Sequence, residues 1–438
     1  MVLIYVHNIS ARVDYITKFI FTDLLAIPYI LTDSMEQLQQ HEGPAIGYHY
    51  TPVNSSAFHI GATQLLFETE IKQPVIEPLE VNGQAAFFAT DGDFPFDIFA
   101  AAFYLISRYE EYLPHSKDMY GRYAHENSAA YKAGFLQIPL VEIWAQQLQN
   151  ALQQRFPHLV FGKKTFRFLP TYDIDIAYSY LYKGWWRNLG GALRQPSGIG
   201  NRLAVLMGKR PDPFDCYAWL DALHQQYGLQ PVYFFLVAAQ NGRYDKNILP
   251  KQPALQQLIH SCLRLDVGIA STIDTRYPVG LHPSWQSGDN PLLLQSEKQM
   301  LEQVAAQPIT ASRQHYIRFN LPDGYTQLLQ AGITDDYSMG YGSINGFRAS
   351  VAQPFYWFNL ATNQVTDLRI HPFCFMDANS FYEQQLSPQQ AQEELQGYMA
   401  ICKALNTTLC TVWHNNFLGT DALYKGWREV YSQFIQSI

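Results

Sequence analysis

Short runs of apolar residues alternate along the chain with longer segments in which apolar residues recur every three or four positions. Such runs predict β-strands, and the longer periodic segments predict α-helices. In the first part of the chain, Val2 to Val6, Tyr29 to Leu31 and Ala45 to Tyr48 are strand-like. Ser10 is a suitable N-cap for a helix that continues to about Leu25. The order β-α-β-β predicts the start of a small α/β domain.

Two further helices are predicted before the next change of pattern. Phe94 to Pro114 has helical apolar periodicity and ends in Glu110 and Glu111, which we expect to form local ion pairs with Arg108. Leu140 to Phe156 is the second helix, and a Gly-Lys-Lys linker at 162–164 follows it. We therefore predict an N-terminal α/β domain over residues 1–162 and a second domain over residues 163–438.

Strand-like and helix-like segments alternate in the second part. The predicted strands are Phe166 to Asp175, Pro231 to Ala238, Tyr277 to Ser284, His315 to Asn320, Gly332 to Met339, Arg369 to Phe375 and Thr408 to His414. Most are followed by a helical segment, a pattern typical of parallel strands. The predicted fold class is α/β, with an irregular (β/α)7-type barrel at the C-terminal end.

Composition narrows the function classes. The net charge is −8 and the sequence pI is about 5.9, which argues against a nucleic-acid-binding protein. The five cysteines are widely spaced and form no CxxC pair, as expected of buried thiols in a reducing compartment. There is no signal-peptide pattern and no apolar run long enough for a transmembrane helix, so we expect a soluble, cytoplasmic protein.

The most informative stretch is FRFLPTYDID, from Phe166 to Asp175. Side chains two positions apart in a strand point to the same side, so Asp173 and Asp175 should face one pocket at the strand's carboxyl end. Two carboxylates this close indicate a bound cation or a shared proton. The alternative is that both residues cap a following turn or helix.

Polar residues also follow the other predicted strands. They are His282, Arg313, His315, Asp335, Asp336, His371, Asp377 and His414. On a parallel barrel these strand ends converge on one mouth. Carboxylates, imidazoles and an arginine could together hold a divalent metal, take a proton from its water and protonate a leaving group.

The motifs TYDID, GLHPS, SRQHY and WHN resemble the successive motifs of the polysaccharide deacetylases, the NodB-homology or carbohydrate esterase 4 fold. The whole chain is similar to a bacterial subgroup that joins such a domain to an N-terminal α/β domain of unknown role. FPFDIFAAAFYLISRYEEYLP, GLHPSW, SMGY and GFRA carry that similarity.

The resemblance implies roles for individual residues. Asp173 matches the general base, Arg313 the arginine that orients it, and His414 the histidine that assists the leaving group. Asp175 and His282 would be metal ligands, with Zn expected and Co or Ni as alternatives. Ile174 and Gln286, however, stand where the family has its second aspartate and second histidine, and a site with two protein ligands is short of the usual three.

Substrate contacts are expected from Trp285, Arg348 and Trp413. Other aromatic residues near the strand ends, Tyr316, Tyr337 and Phe417, are candidates for a sugar subsite, with core packing as the alternative. We expect His315 to be structural and His371 to lie outside the site. One of Asp335 and Asp336 is expected to position Arg313 or His414.

The leading hypothesis is a metal-assisted hydrolase that removes N-acetyl groups from an amino-sugar glycan or its precursor. The departures at Ile174 and Gln286 motivate an alternative, a degenerate barrel that binds carbohydrate or a cell-envelope component without turnover. A third hypothesis is a metal-independent amide hydrolase in which the two aspartates share a proton. The sequence leaves open the oligomeric state. It also leaves open whether the N-terminal domain covers the barrel mouth, recognises a polymer or forms a dimer.

Overall fold

The structure is a computed structural model that describes residues 1–194, 196–263 and 277–438. The described part is α/β, as predicted. The predicted helix from Pro253 to Leu265 is observed over Pro253–Cys262, and its last two positions lie outside the described residues.

Residues 1–162 form a four-stranded parallel sheet, a small antiparallel hairpin and covering helices. The elements are β1 Val2–Val6, α1 Ala11–Lys18, β2 Tyr29–Thr32, α2 Met35–Gln40, β3 Ala45–His49, β4 Phe58–Gly61, β5 Leu79–Val81, β6 Gln84–Ala86, α3 Ile98–Ile106, α4 Ala129–Lys132 and α5 Leu140–Arg155. The strand order of the larger sheet is β2-β1-β3-β4. Ser10 caps α1 by accepting a hydrogen bond from the Val13 amide, as its position before the apolar periodic segment predicted.

The remaining described residues are organised around a nine-stranded sheet. Its elements and the helices between them are β7 Arg167–Ile174, α6 Gly184–Arg194, α7 Ile199–Leu206, α8 Tyr217–Tyr227, β8 Val232–Leu236, α9 Pro253–Cys262, β9 Val279–His282, α10 Pro291–Ala305, β10 Ala311–Ser312, α11 Asp323–Gln330, β11 Asp335–Asp336, β12 Phe355–Asn359, β13 Gln364–Ile370, β14 Phe375–Met376, α12 Pro388–Ala404, β15 Thr408–His414 and α13 Trp427–Gln436.

The strand order of this sheet is β12-β13-β11-β10-β9-β8-β7-β15-β14, and only the β12–β13 pair is antiparallel. In the described part of the chain, the two edge strands β12 and β14 are not paired with each other, so closure into a barrel is not confirmed. The strand predicted from His315 to Asn320 is wrong: β10 lies earlier, and residues 315–317 form a tight turn. Strand β12 was not predicted.

The two sheets share one hydrophobic core. Phe103 of α3 packs on Phe358 of β12 with ring centroids 5.1 Å apart, and the Tyr15 hydroxyl donates to the Tyr356 carbonyl. Arg12 is fully buried between the two parts and donates to the Asn363 side chain at 2.8 Å. Residues 1–162 are therefore packed against the large sheet rather than held apart from it.

Among the helices of the described residues, none combines the length and the apolar character needed to cross a bilayer. The five cysteines are unpaired and buried.

Candidate active site

The register of the large sheet brings polar residues together at the carboxyl ends of its central strands. His414 of β15 is directly opposite Asp173 of β7, and His282 ends β9 two strands away. β7 is buried from Leu169 to Ile174, because strands pair with it on both sides and helices cover the sheet. Polar side chains of this strand can therefore reach a cavity only where the strand ends, and Asp173 and Asp175 lie at that end.

Asp175, His282 and His315 form a three-residue cluster. The Nε2 atom of His282 is 3.0 Å from Asp175 Oδ1, and the Nε2 atom of His315 is 3.3 Å from Asp175 Oδ2. One ligand atom from each residue lies within 4.8 Å of the other two. Of the residues that the structure describes, only these three form such a candidate metal cluster.

The other ring nitrogen of each histidine is held by a neighbour. His282 Nδ1 is 2.6 Å from the Arg313 carbonyl, and His315 Nδ1 is 2.9 Å from Asp245 Oδ1. Histidines that bind metals are commonly held in this way, because the second hydrogen bond sets the tautomer and the ring orientation. Asp175 Oδ1 is buried and lies 3.0 Å from the His282 ring. This donor set fits a divalent metal.

His315 is a third candidate ligand, beside the two that the sequence predicted. Ile174 is buried in the core, and Gln286 is exposed on the turn after β9, outside the cluster. His315 comes from the turn after β10, in which Tyr316 has a left-handed backbone with φ of 58°. His315 was expected to be structural, and the structure places its ring against Asp175 in the candidate cluster.

The electrostatics of the cluster follow from its buried charges. Burial would raise the pKa of Asp175, but His315 and His282 outweigh this effect and lower the pKa well below its usual value. Burial lowers the pKa of His315, whereas Asp175 and Asp245 raise it to about 9. The carboxylates of Asp175 and Asp245 therefore stabilise positive charge at this cluster, either as protons on the histidines or as a bound cation.

Asp173 is paired with Arg313. Arg313 Nη1 donates to Asp173 Oδ1 at 2.8 Å, and both side chains are buried. The guanidinium also donates from Nε to the Tyr337 carbonyl and lies 4.6 Å from the ring centre of Phe234. The other oxygen, Asp173 Oδ2, is 3.8 Å from His282 Nε2. Arg313 thus holds Asp173 and His315 holds Asp175, while the His282 ring lies between the two carboxylates.

His414 is paired with Asp377. Its Nδ1 is 2.6 Å from Asp377 Oδ1, and its backbone amide donates to Asp377 Oδ2 at 2.7 Å. Burial lowers the pKa of His414, but Asp377 and the more distant Asp175 and Asp173 raise it to about 10. The ring is therefore protonated at neutral pH, with Nε2 3.7 Å from Asp175 Oδ2.

Asp335 or Asp336 was expected to position Arg313 or His414, and the carboxylate that holds His414 is instead Asp377. Asp336 accepts hydrogen bonds from the Ser338 amide and hydroxyl, and Asp335 is 2.8 Å from His371 Nε2. His371 is thus engaged away from the cluster, as predicted.

A cavity of about 580 Å³ contains the site. Asp173, Asp175, His282, His315 and His414 all line it. A larger cavity, of about 780 Å³, lies among residues 73–133, and none of these five residues lines it. The smaller cavity is therefore the candidate active site.

The N-terminal part of the chain contributes to this cavity. Tyr120 and Arg122 line it beside Tyr244 and Tyr316. Arg122 donates to the Tyr316 carbonyl at 2.8 Å and pairs with Asp118 at 2.6 Å, which anchors the segment to the turn that carries His315. Sequence analysis missed this contribution, as it missed Asp245, because neither lies within a recognised motif.

The three residues expected to contact substrate do not line the cavity. Trp413 is fully buried and packs on Phe375 and Tyr431, because its side chain leaves β15 on the face opposite to His414. Trp285 lies behind the wall, with its ring 4.7 Å from that of Tyr244.

Arg348 is likewise buried away from the cavity, in an ion pair with Glu111 at 2.6 Å. Arg108 pairs with Glu110 and Glu111 at 2.8 and 2.7 Å, so the predicted local ion pairs are confirmed. This network joins the segment after α3 to the loop after β11.

Comparisons with known proteins give one family match and three partly similar solved structures. Residues 2–157 match a family of unknown function, DUF7033. No curated protein sequence matches the chain.

Three solved structures are similar to part of the chain. A protein described as a polysaccharide deacetylase from Mycobacterium smegmatis has 13% identity, with 63% of this chain and 84% of that chain covered and a TM-score of 0.38. PuuE allantoinase has 12% identity, with 64% and 86% covered and a TM-score of 0.39. A protein described as a polysaccharide deacetylase from Pseudomonas aeruginosa PAO1 has 11% identity, with 62% and 84% covered and a TM-score of 0.36. All three TM-scores are below 0.5, so the site is interpreted from its own geometry.

Proposed function

We propose that the protein is a metal-assisted hydrolase of a non-peptide C–N bond that removes N-acetyl groups from an amino sugar in a glycan or glycan precursor. One observation carries this proposal. The Asp175–His282–His315 cluster, the Asp173–Arg313 pair and the Asp377–His414 pair surround a single cavity. They combine a cation site, a carboxylate base and a protonated imidazole, the three parts that metal-assisted amide hydrolysis uses.

Asp175, His282 and His315 would hold the metal. Two imidazole nitrogens and one carboxylate oxygen suit Zn, with Co or Ni as alternatives. A divalent ion bound there would lower the pKa of a water molecule and polarise the amide carbonyl.

The protein's own groups would move the protons. Asp173, oriented by Arg313, accepts a proton from the attacking water as the water oxygen bonds to the amide carbon. His414 donates the proton on Nε2 to the leaving nitrogen as the C–N bond breaks. The products are acetate and a free amine. Asp377 fixes the His414 ring and stabilises its charged form.

The cavity wall supports a carbohydrate substrate. The rings of Tyr120 and Tyr316 are 5.3 Å apart, and the rings of Tyr244 and Tyr316 are also 5.3 Å apart. Aromatic faces of this kind suit the apolar C–H faces of a sugar ring. Since Tyr120 comes from the first part of the chain, we propose that residues 1–162 act as a domain that completes the substrate site of a deacetylase-like barrel formed by 163–438.

A cytoplasmic location and the absence of nucleic-acid partners stay predictions from the cysteine usage and the net charge.

The test is acetate release from an N-acetylglucosamine oligomer by protein loaded with Zn. We expect activity that is lost on chelation, restored by metal and abolished in Asp173→Asn. Oligomer binding without acetate release by fully loaded protein would favour the non-catalytic carbohydrate-binding alternative. Activity that survives complete removal of metal would favour the metal-independent amidase.

A further inference from the structure

Residues 176–211, which connect β7 to α8, expose an unusual amount of apolar surface. Leu193 is 74% exposed, Trp186 is 69% exposed and Trp185 is 64% exposed. We call the exposed set on helices α6 and α7 the apolar patch, and its main members are Trp185, Trp186, Leu189, Leu193, Leu203 and Met207. Scattered exposed apolar residues are ordinary, but a cluster on two consecutive helices marks an interaction surface.

Helix α6 has its polar side toward the protein. Asn188 is buried, donates to the carbonyls of Tyr180 and Gly184, and accepts from Arg202 of α7 at 2.9 Å. Trp186, Leu189 and Leu193 follow a helical spacing on the opposite side, where they are exposed. An ordinary surface helix buries its apolar side. Here the buried anchor is a hydrogen-bonded asparagine, and the apolar side is left uncovered.

The same stretch is strongly basic. Residues 176–211 contain six Lys or Arg residues and no Asp or Glu, although the whole chain has a net charge of −8. Lys209 and Arg210 at its end are exposed. Two such patches from two copies of the chain would bring like charges together, which disfavours a dimer through this surface. Exposed tryptophan and leucine beside clustered basic residues instead match the interface of an anionic lipid bilayer.

We propose that the apolar patch is a docking surface for an anionic lipid bilayer. The helices would lie in the interface, with Trp185, Trp186 and Leu193 inserted at the level of the headgroups and the exposed Lys209 and Arg210 facing the lipid phosphates. This is surface binding and requires no membrane-spanning segment.

The docking surface is fixed to the rim of the candidate active site. Arg187 of α6 donates to the carbonyls of Lys246 and Asn247 at 2.7 and 3.3 Å, and Lys246 lines the cavity. Docking would therefore bring the cavity close to the bilayer. The proposal for the patch does not depend on the hydrolase chemistry, because it concerns binding alone.

The test is cosedimentation of the full chain with lipid vesicles. We expect binding to vesicles of phosphatidylcholine with phosphatidylglycerol, weaker binding at high salt, and little binding to phosphatidylcholine alone. The double variant Trp186→Ser, Leu193→Ser should lose about tenfold or more in vesicle affinity. Leu292→Ser is the matched control, because Leu292 is 79% exposed on α10 outside the patch. It should bind as the wild type does.

A second variant tests whether the basic residues contribute to vesicle binding. Lys209→Glu, Arg210→Glu should weaken binding to the anionic vesicles and reduce its dependence on salt. Circular dichroism would show that each variant is folded. Wild-type protein that stays in the supernatant with anionic vesicles would overturn the proposal, as would patch variants that sediment like the wild type. A dimer that depends on the patch, found without vesicle binding, would assign the surface to a second copy instead and would also overturn it.

Discussion

The Nε2 atom of His315 lies 3.3 Å from Oδ2 of Asp175, and its Nδ1 atom lies 2.9 Å from Asp245. This arrangement makes His315 the third member of the candidate metal site. The ring is buried and held from both sides, so it is preorganised to bind a cation.

We expect His315→Ala to lower the affinity for Zn by more than about 100-fold, since the loss of a direct ligand should exceed the loss of an outer-shell partner. Metal content after dialysis, measured by mass spectrometry, checks this expectation. His371→Ala is the control, because His371 is also paired with an aspartate but lies outside the cluster. Equal metal content in the two variants would rule out His315 as a ligand.

Asp173→Asn should lower kcat for acetate release by about 10²- to 10⁴-fold, the usual contribution of a general base. Metal content should be unchanged, because Asp173 is paired with Arg313 rather than placed in the cluster. Asp335→Asn, which changes a carboxylate near another strand end, should keep its activity. A fall in metal content parallel to the fall in rate would instead mean that Asp173 holds the ion.

Asp377→Asn should shift the pH dependence of kcat/KM. His414 must be protonated to donate to the leaving group, and Asp377 is the main partner that raises the pKa of this histidine to about 10. Without the negative charge, the pKa falls and the alkaline limb of the profile should move to lower pH by more than about one unit. An unchanged alkaline limb would show that a group other than His414 is the acid.

Tyr120→Ala tests whether residues 1–162 complete the substrate site. Loss of one aromatic wall should raise KM about 2- to 10-fold while kcat and metal content stay near wild type. The neighbouring Met119 is 85% exposed and does not line the cavity, so Met119→Ala is the matched control. The same KM for both variants would argue that the first part of the chain does not touch the substrate.

Glu142 should make the stability of the protein depend on pH. It accepts hydrogen bonds from the amides of Ala352 and Gln353, and burial raises its pKa from 4.5 to about 7 despite these donors. Between pH 4.5 and about 7 the folded state keeps a proton on Glu142 that the unfolded state releases. The stabilising contribution of this proton to the free energy of unfolding therefore falls as pH rises and is lost above pH 7.

Glu142→Gln removes this titration and keeps an oxygen acceptor. Relative to wild type, its free energy of unfolding should rise by about 3 kcal/mol between pH 4.5 and 8, as measured by denaturant titration. A difference between the two proteins that does not change with pH would contradict the buried, protonated state of Glu142.

Several features could be predicted from local sequence. The strands β1, β3 and β7 and the helix α5 lie where expected. A strand buried on both faces gives a continuous apolar run, and a helix buried on one side gives apolar residues every three or four positions, so both can be read from neighbouring residues. Asp173, Asp175, His282 and His414 could be grouped in advance, because parallel strands end at one edge of a sheet.

Tertiary structure decided the rest. His315 follows a two-residue strand and lies in a turn, so no periodicity marks it. Its role appears only when β9 and β10 pair and bring its ring to Asp175. Trp413 and Arg348 were expected to contact substrate, but Trp413 points into the core and Arg348 pairs with Glu111, 237 residues away in the sequence.

The sequence by itself determined which residues could carry charge and where strands such as β1 and β7 and the helix α5 form, since these depend on residue type and on neighbours along the chain. The tertiary structure decided which of those residues meet: His315 joins Asp175, Asp377 holds His414, and Tyr120 of the N-terminal part reaches the cavity. The physical reason is that each of these contacts joins residues distant in sequence, and their distances are set by sheet order and core packing rather than by any local pattern.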